Sequence, residues 1–74
     1  MSIFADRIKE CRKNISKTQR DVAVDLGISD RGYQNYEIGE REPKIEMLNK
    51  LADYFDVSID YLTGRTDNPK FQKQ

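Results

Sequence analysis

Apolar side chains recur at intervals of three and four residues along most of the chain, and no stretch shows the two-residue alternation of a half-buried strand. In the first stretch, Ile8 follows Phe4 by four positions and Cys11 follows Ile8 by three. The pattern predicts five short helices, namely residues 2–14, two helices between Thr18 and Gly39, a fourth from Ile45 to Phe55 or Asp56, and a fifth between Ser58 and Gly64. Five short helices with short connections indicate an all-α domain.

Two of these helical patterns meet at a tight, glycine-containing turn between Thr18 and Gly39. Thr18 can cap the first of the two helices, and Gly27 can end it because a sharp turn favours a residue that tolerates positive φ. Ser29 can cap the second helix, so the connection consists of Gly27, Ile28 and Ser29. Two short helices joined by so short a turn are typical of a helix-turn-helix.

The composition leaves room for one small domain. The 74 residues are 36% apolar and 35% charged, which fits a helical domain with a mostly ionic surface. No apolar run is long enough for a membrane span or a signal peptide. Cys11 has no second cysteine and no histidine to pair with, so we expect it to be a small buried side chain, with no metal and no cofactor. A reducing cytoplasm is the default location.

The domain is expected to cover residues 1–65. Residues 66–74 show no periodicity, and we expect them to form a flexible tail.

The net charge is zero, but the charges are unevenly distributed. Residues 1–20 carry six basic and two acidic side chains, whereas residues 45–64 carry four acidic side chains and one lysine. One end of the domain can therefore present a positive face while the other is acidic.

The second helix of the helix-turn-helix carries side chains that can bond to base edges. Tyr33 and Tyr36 are three residues apart and are expected to face inward, which would turn a polar set outward. That set is Asp30, Arg31, Gln34 and Asn35. Arginine can bond guanine, glutamine or asparagine can bond adenine, and aspartate can accept from cytosine. The alternative for each is an ordinary solvated residue on an exposed helix.

The helix before it can contact phosphate. Gln19 is its first residue, where a side chain and free backbone N–H groups can meet an anion. Lys17 and Arg20 flank the same surface. Here too the alternative is a solvated polar side chain.

These residues, with others further along, resemble the phage repressor and Cro family of DNA-binding domains, the XRE type. The resemblance covers about residues 3–65 and rests on Thr18-Gln19, Ala23, Gly27, Tyr36-Glu37-Ile38-Gly39, Arg41, Pro43, Leu48, Leu51-Ala52, Phe55, Val57-Ser58 and Asp60-Tyr61-Leu62. It implies a lambda-repressor-like fold in which the third helix lies in the major groove.

The resemblance also implies roles for particular residues. It places principal base contacts at Asp30, Arg31 and Asn35, with Gln34 a frequent contributor. It places Arg41 and Lys44 against the sugar-phosphate backbone or the minor-groove edge. It pairs Arg12 with Glu37 in an ion pair that orients the recognition helix. On this basis Arg12→Met should loosen operator binding more than it lowers the melting temperature.

Family members usually bind palindromic sites as twofold dimers, with half-sites roughly 34 Å apart. The homodimer surface is only weakly indicated in this sequence, by Tyr54, Ile59, Tyr61, Leu62 and Phe71, and core packing explains Ile59 and Leu62 equally well. With no room for a ligand-sensing domain in so short a chain, regulation would come from concentration, proteolysis, a protein antagonist or a longer parent chain.

Two classes of function follow. The first is a sequence-specific regulator that binds double-stranded DNA, of the repressor type found in phages and mobile elements. The second is a protein-interaction module of the same fold, such as an antitoxin. The basic residues near the start favour the first, and the zero net charge leaves the second open. An enzyme is not expected, because the chain has no histidine, no cysteine pair and no glycine-rich phosphate loop.

Overall fold

The computed structural model describes residues 2–70 and contains five helices in this part of the chain. The helices are α1 (Ile3–Asn14), α2 (Gln19–Leu26), α3 (Asp30–Ile38), α4 (Ile45–Phe55) and α5 (Ile59–Leu62). The helix α2 packs on α3 to form the helix-turn-helix, and α1 contacts α3, α4 and α5. The all-α prediction with five helices is confirmed. No helix within residues 2–70 combines the length and the apolar content that a membrane span requires.

Side-chain caps begin four of the helices. Ser2, Ser29 and Ser58 each accept a hydrogen bond from a backbone N–H in the first turn of the following helix. Thr18 does the same for α2, and Asp21 bonds back to the Thr18 N–H, which completes a capping box. Lysine cannot accept from the backbone, and α4 accordingly begins after Lys44 without a side-chain cap.

The turn between α2 and α3 depends on Gly27. Its φ is +74°, in the left-handed region that other residues adopt only at a cost. The next backbone N–H, that of Ile28, donates to the Ala23 carbonyl at 3.0 Å and closes the end of α2. Ser29 then caps α3, so the connection is as short as the sequence predicts.

The core lies between α1, the helix-turn-helix and the α4–α5 pair. Its largest fully buried side chains are Tyr33, Ile8, Leu51, Leu62 and Val22. Two further apolar side chains at helical spacing around α1 lie outside the core: Ile3 is 55% exposed and Ile15, just after the helix, is 43% exposed. Ile3 instead lies over the glycine turn that follows α5, where a Cβ on Gly64 would come within 3.0 Å of the Ile3 Cγ2.

Gly32 lies in the first turn of α3, where glycine costs about 1 kcal/mol relative to alanine. A Cβ at this position would lie 3.0 Å from the Ser29 Oγ, so the capping hydroxyl would have to shift slightly. We expect Gly32→Ala to raise the free energy of unfolding by about 0.5 kcal/mol, because the gain in helix propensity exceeds the cost of that shift. Urea denaturation of the two proteins measures the difference. A loss of stability would mean that shifting the Ser29 cap costs more free energy than the higher helix propensity of alanine contributes.

The segment after α5 folds back along the domain. The Arg7 guanidinium on α1 donates to the backbone carbonyls of Tyr61 and Thr66 and to the Asp67 carboxylate. The Ser58 N–H donates to the Pro69 carbonyl at 2.9 Å. The flexibility expected of residues 66–74 stays a prediction, and its last four residues lie outside the described part of the chain.

Candidate nucleic-acid interface

The outward side of α3 is polar, and its inward side is aromatic. Tyr33 is fully buried, and Tyr36 is partly buried against the core. The four predicted base-contacting side chains lie on the remaining surface, where Arg31 is exposed and Asp30, Gln34 and Asn35 are partly exposed. The tyrosines thus fix which side of α3 faces away from the domain.

The residues predicted to form an orienting ion pair lie together beneath α3. Arg12 Nε donates to Glu37 Oε2 at 2.7 Å, and Arg12 Nη2 donates to Oε1 at 3.1 Å. The Glu37 side chain is 1% exposed. Gln19 Nε2 also donates to Oε1 at 3.1 Å, so this buried carboxylate joins α1, α2 and α3. Arg12 additionally donates to the Lys17 carbonyl and holds the loop before α2.

This cluster alters the protonation of its members. Burial would raise the pKa of Glu37, but the hydrogen bonds from Arg12 and from the Gln19 amide together hold that pKa below its ordinary value. Burial, followed by the Glu37 carboxylate, raises the pKa of Tyr33. The Tyr33 hydroxyl has no hydrogen-bond partner within residues 2–70. At neutral pH the cluster therefore holds a carboxylate, a guanidinium and a neutral phenol.

The lowered pKa of Glu37 predicts an acid-sensitive contribution to stability. A carboxyl with a lowered folded pKa stabilises the fold at pH values above the unfolded pKa of about 4.3, and this stabilisation is lost as the pH falls through the folded value. Glu37→Gln should therefore be less stable than the wild type at neutral pH, and the difference should shrink below about pH 4. Urea denaturation of both proteins at several pH values measures this difference. A gap that stays constant on acidification would contradict it.

Lys17 forms an ion pair with a carboxylate on α2. Its Nζ lies 2.7 Å from Asp25 Oδ2 and 5.8 Å from the centre of the Tyr54 ring. The Tyr54 hydroxyl donates to the same oxygen of Asp25. The Lys17 bond, followed by that of Tyr54, lowers the pKa of Asp25. The ammonium predicted to contact phosphate is thus part of a surface cluster that joins the end of α2 to α4.

Two more predicted phosphate contacts lie in the loop after α3 and at the start of α4. Arg41 and Lys44 are exposed and line one open groove with Tyr36 and Lys50. Glu42 and Glu46 line the same groove and offset part of its positive charge. Arg20, at the start of α2, is also exposed, and its side chain reaches Asp30 on α3.

The residues considered for a dimer surface differ in how deeply they are buried. Tyr54, Ile59 and Tyr61 are partly buried and pack at the margin of the core. Leu62 is fully buried within the domain, so it cannot contribute to an interface without unfolding α5. Phe71 lies outside the described residues.

Sequence reasoning missed three polar contacts that shape this surface. They are the bonds from Gln19 to Glu37, from Arg20 to Asp30, and from Lys17 to Asp25. Each joins residues eight or more positions apart, where helical spacing gives no signal.

A family profile described as helix-turn-helix matches residues 8–62, which is most of the chain. This chain belongs to the helix-turn-helix family. The match confirms the resemblance to the XRE type, since it covers α2, α3 and most of the other elements on which the resemblance rests.

Several members of the helix-turn-helix family are clear relatives of the chain. An uncharacterized HTH-type transcriptional regulator of Bacillus subtilis, YqaE, is 40% identical over 92% of this chain and 59% of its own length. A prophage-derived HTH-type regulator of the same organism, YonR, is 42% identical over 86% of this chain and 59% of its own length. The cryptic phage CTXphi transcriptional repressor RstR of Vibrio cholerae is 47% identical over 81% of this chain and 54% of its own length.

The helix-turn-helix chain described here thus spans little more than half the length of these relatives. The relatives are named as transcriptional regulators, a class without enzymatic activity, which agrees with the expectation that this family member is not an enzyme.

Proposed function

We propose that the chain is the DNA-binding domain of a sequence-specific transcriptional regulator, a repressor of phage or mobile-element type. The helix α3 enters the major groove of double-stranded DNA, and α2 lies across the phosphate backbone. Family membership supports DNA binding, and the similarity to a named phage repressor supports the repressor type.

The observation that carries the proposal is the arrangement of α3. The buried Tyr33 anchors the helix, and Arg31 projects from the opposite side as its most exposed polar residue. Asn35 lies one turn further along, so both side chains can reach base edges in one groove. Arg31 matches the bidentate geometry of guanine, and Asn35 matches that of adenine.

Register on the duplex comes from contacts on either side of α3. Arg41 and Lys44 follow it in the chain, and Arg20 precedes it. Exposed cations in these positions can bind phosphates along one face of the duplex. Glu42 beside them weakens attraction to arbitrary DNA, which leaves a larger share of the affinity to base contacts.

A pair of these domains would bind a palindromic operator. Half-sites one turn apart, roughly 34 Å, would place two copies of α3 in successive major grooves on one side of the duplex. The longer relatives leave room for dimerisation through segments that the present chain does not cover.

Selection from a pool of random duplexes tests this function most directly. Recovered sequences should share a short motif repeated about ten base pairs apart in inverted orientation. Gel shifts with the recovered duplex at two salt concentrations should show weaker binding at the higher one. Recovery of unrelated sequences, with equal affinity for all of them, would contradict sequence-specific regulation.

Substitutions separate base contacts from phosphate contacts. Arg31→Ala should cost about 1 to 3 kcal/mol on the preferred duplex and relax the preference at one base pair in each half-site. Arg41→Ala is the matched control, since it also removes one exposed arginine but should weaken binding to all sequences about equally. Competition gel shifts with single-base variants of the operator measure both effects. Uniform losses for both variants would refute the assignment of Arg31 as a base contact.

A further inference from the structure

Two neighbouring side chains at the start of α2 reach opposite ends of α3. Gln19 donates to Glu37 near the C-terminal end of α3, and Arg20 donates to Asp30, its first residue. The first of these bonds is partly buried and belongs to the cluster around Arg12. The second is at the surface, at the end of α3 where base contacts are expected.

The Arg20–Asp30 pair uses only part of each side chain. Arg20 Nε lies 3.2 Å from Asp30 Oδ2, and within residues 2–70 this is the one hydrogen bond of the Arg20 guanidinium. The side chains are 80% and 42% exposed. The two terminal nitrogens of Arg20 and Oδ1 of Asp30 can therefore still bind other groups.

An aspartate that contacts a base is repelled by the DNA phosphates, and the ion pair with Arg20 reduces this repulsion. Asp30 is the one acidic residue among the four predicted base contacts, and its carboxylate must approach a polyanion. A guanidinium bonded to one oxygen offsets the repulsion and fixes the direction of the other oxygen. An exposed ion pair contributes little to folding, so its value would appear on DNA.

We propose that Arg20 is a specificity-determining residue that acts by positioning Asp30. Its Nε holds the Asp30 carboxylate while its terminal nitrogens bind a backbone phosphate, and Oδ1 of Asp30 accepts a hydrogen bond from the exocyclic amine of cytosine. A phosphate contact and a base contact are thereby coupled through one guanidinium. The inference rests on the proposed function, since it requires that α3 reads DNA.

The test compares base preference in the wild type and in four variants: Arg20→Ala, Arg20→Lys, Asp30→Asn and Arg20→Ala/Asp30→Asn. Each protein is used to select from the same random duplex pool, and affinities are then measured on the operator and on its single-base variants. Arg41→Ala serves as the matched control, because it removes an exposed arginine at the predicted phosphate surface while the Arg20–Asp30 pair stays in place. Circular dichroism checks that every variant is helical.

The expected result is a change at one position of the half-site. Discrimination at a single base pair is commonly about 5- to 150-fold, and Arg20→Ala should reduce it to within about twofold at the position that Asp30→Asn also alters. The double variant should show the same preference as Asp30→Asn alone. Arg20→Lys retains the charge but has one nitrogen on a flexible stem in place of the rigid guanidinium fork, so it should recover affinity more than preference.

Other results would overturn the inference. A uniform loss of affinity in Arg20→Ala, like that of Arg41→Ala, would make Arg20 a phosphate contact only. Unchanged binding would make the pair an ordinary surface ion pair. Should Arg20→Ala fail to fold, the same comparison is made with Arg20→Lys, and full retention of base preference there contradicts the coupling. A wild-type protein that selects no common motif would instead refute the proposed function itself.

Discussion

Replacing Glu37 with alanine is expected to lower the free energy of unfolding by about 3 to 5 kcal/mol. The Glu37 side chain is 1% exposed and accepts two hydrogen bonds from Arg12 and one from Gln19. Without it, the Arg12 guanidinium, whose side chain is 13% exposed, would remain partly buried with one backbone carbonyl as its remaining acceptor. A buried charge that loses its partner is among the most costly single changes in a protein.

Urea denaturation followed by circular dichroism measures the loss. The matched control is Arg12→Met combined with Glu37→Leu, which removes both charges and keeps apolar bulk in their place. We expect this double variant to be within about 1 to 2 kcal/mol of the wild type, because the desolvation cost of the ion pair disappears with its attraction. A double variant as unstable as Glu37→Ala would show that the pair itself holds the domain together.

The buried position of Glu37 also changes the expectation for Arg12→Met. Taken alone, that substitution leaves a buried carboxylate with Gln19 as its remaining side-chain donor, so stability falls together with operator binding. The double variant of Arg12 and Glu37 separates the two effects, because it leaves no unpaired buried charge. It should fold well and bind the operator more weakly, because α3 loses its hydrogen-bonded ion pair with α1.

Local chemistry made most of the fold predictable. A cap needs one side chain and a backbone N–H three residues later, and Thr18, Ser29 and Ser58 all meet that requirement within their own segments. The glycine turn after α2 is equally local. The sequence does not distinguish Phe55 from Asp56 as the end of α4, because Asp56, not glycine, adopts the left-handed conformation there, with φ of +56°.

The site was less predictable because its polar contacts join distant parts of the chain. The charge distribution predicts one positive face from the basic side chains of residues 1–20, but in the structure several of them bind different partners. Arg12 binds the buried Glu37, Lys17 binds Asp25, and Arg7 binds Asp67 in the segment after α5. Charge counts along the sequence do not show which cations are already paired in the folded domain.

Arg7→Ala is expected to lower the free energy of unfolding by about 3 kcal/mol and to release the segment after α5. The Arg7 guanidinium donates to the Tyr61 carbonyl at 2.6 Å and also to the Thr66 carbonyl. It also lies 4.2 Å from the centre of the Tyr61 ring. Hydrogen bonds from a charged donor contribute about 1.5 to 3 kcal/mol each, and a cation over an aromatic ring adds about 0.5 to 1 kcal/mol. The sum is reduced because freed carbonyls can bond to water.

Two further variants separate these contributions. Asp67→Ala removes the ion pair of Arg7, but the Asp67 side chain is 99% exposed, so this change should have little effect on stability. Both carbonyls accept from one nitrogen of Arg7, Nη1. Arg7→Lys keeps the charge, but its side chain is shorter and has no planar group to stack over Tyr61, so it should recover less than half of the loss. Hydrogen exchange should rise at the backbone N–H groups of Arg65 and Thr66, which donate to the Asp60 carbonyl. Equal protection of these two groups in Arg7→Ala and the wild type would mean that the segment is held by its own turn and not by α1.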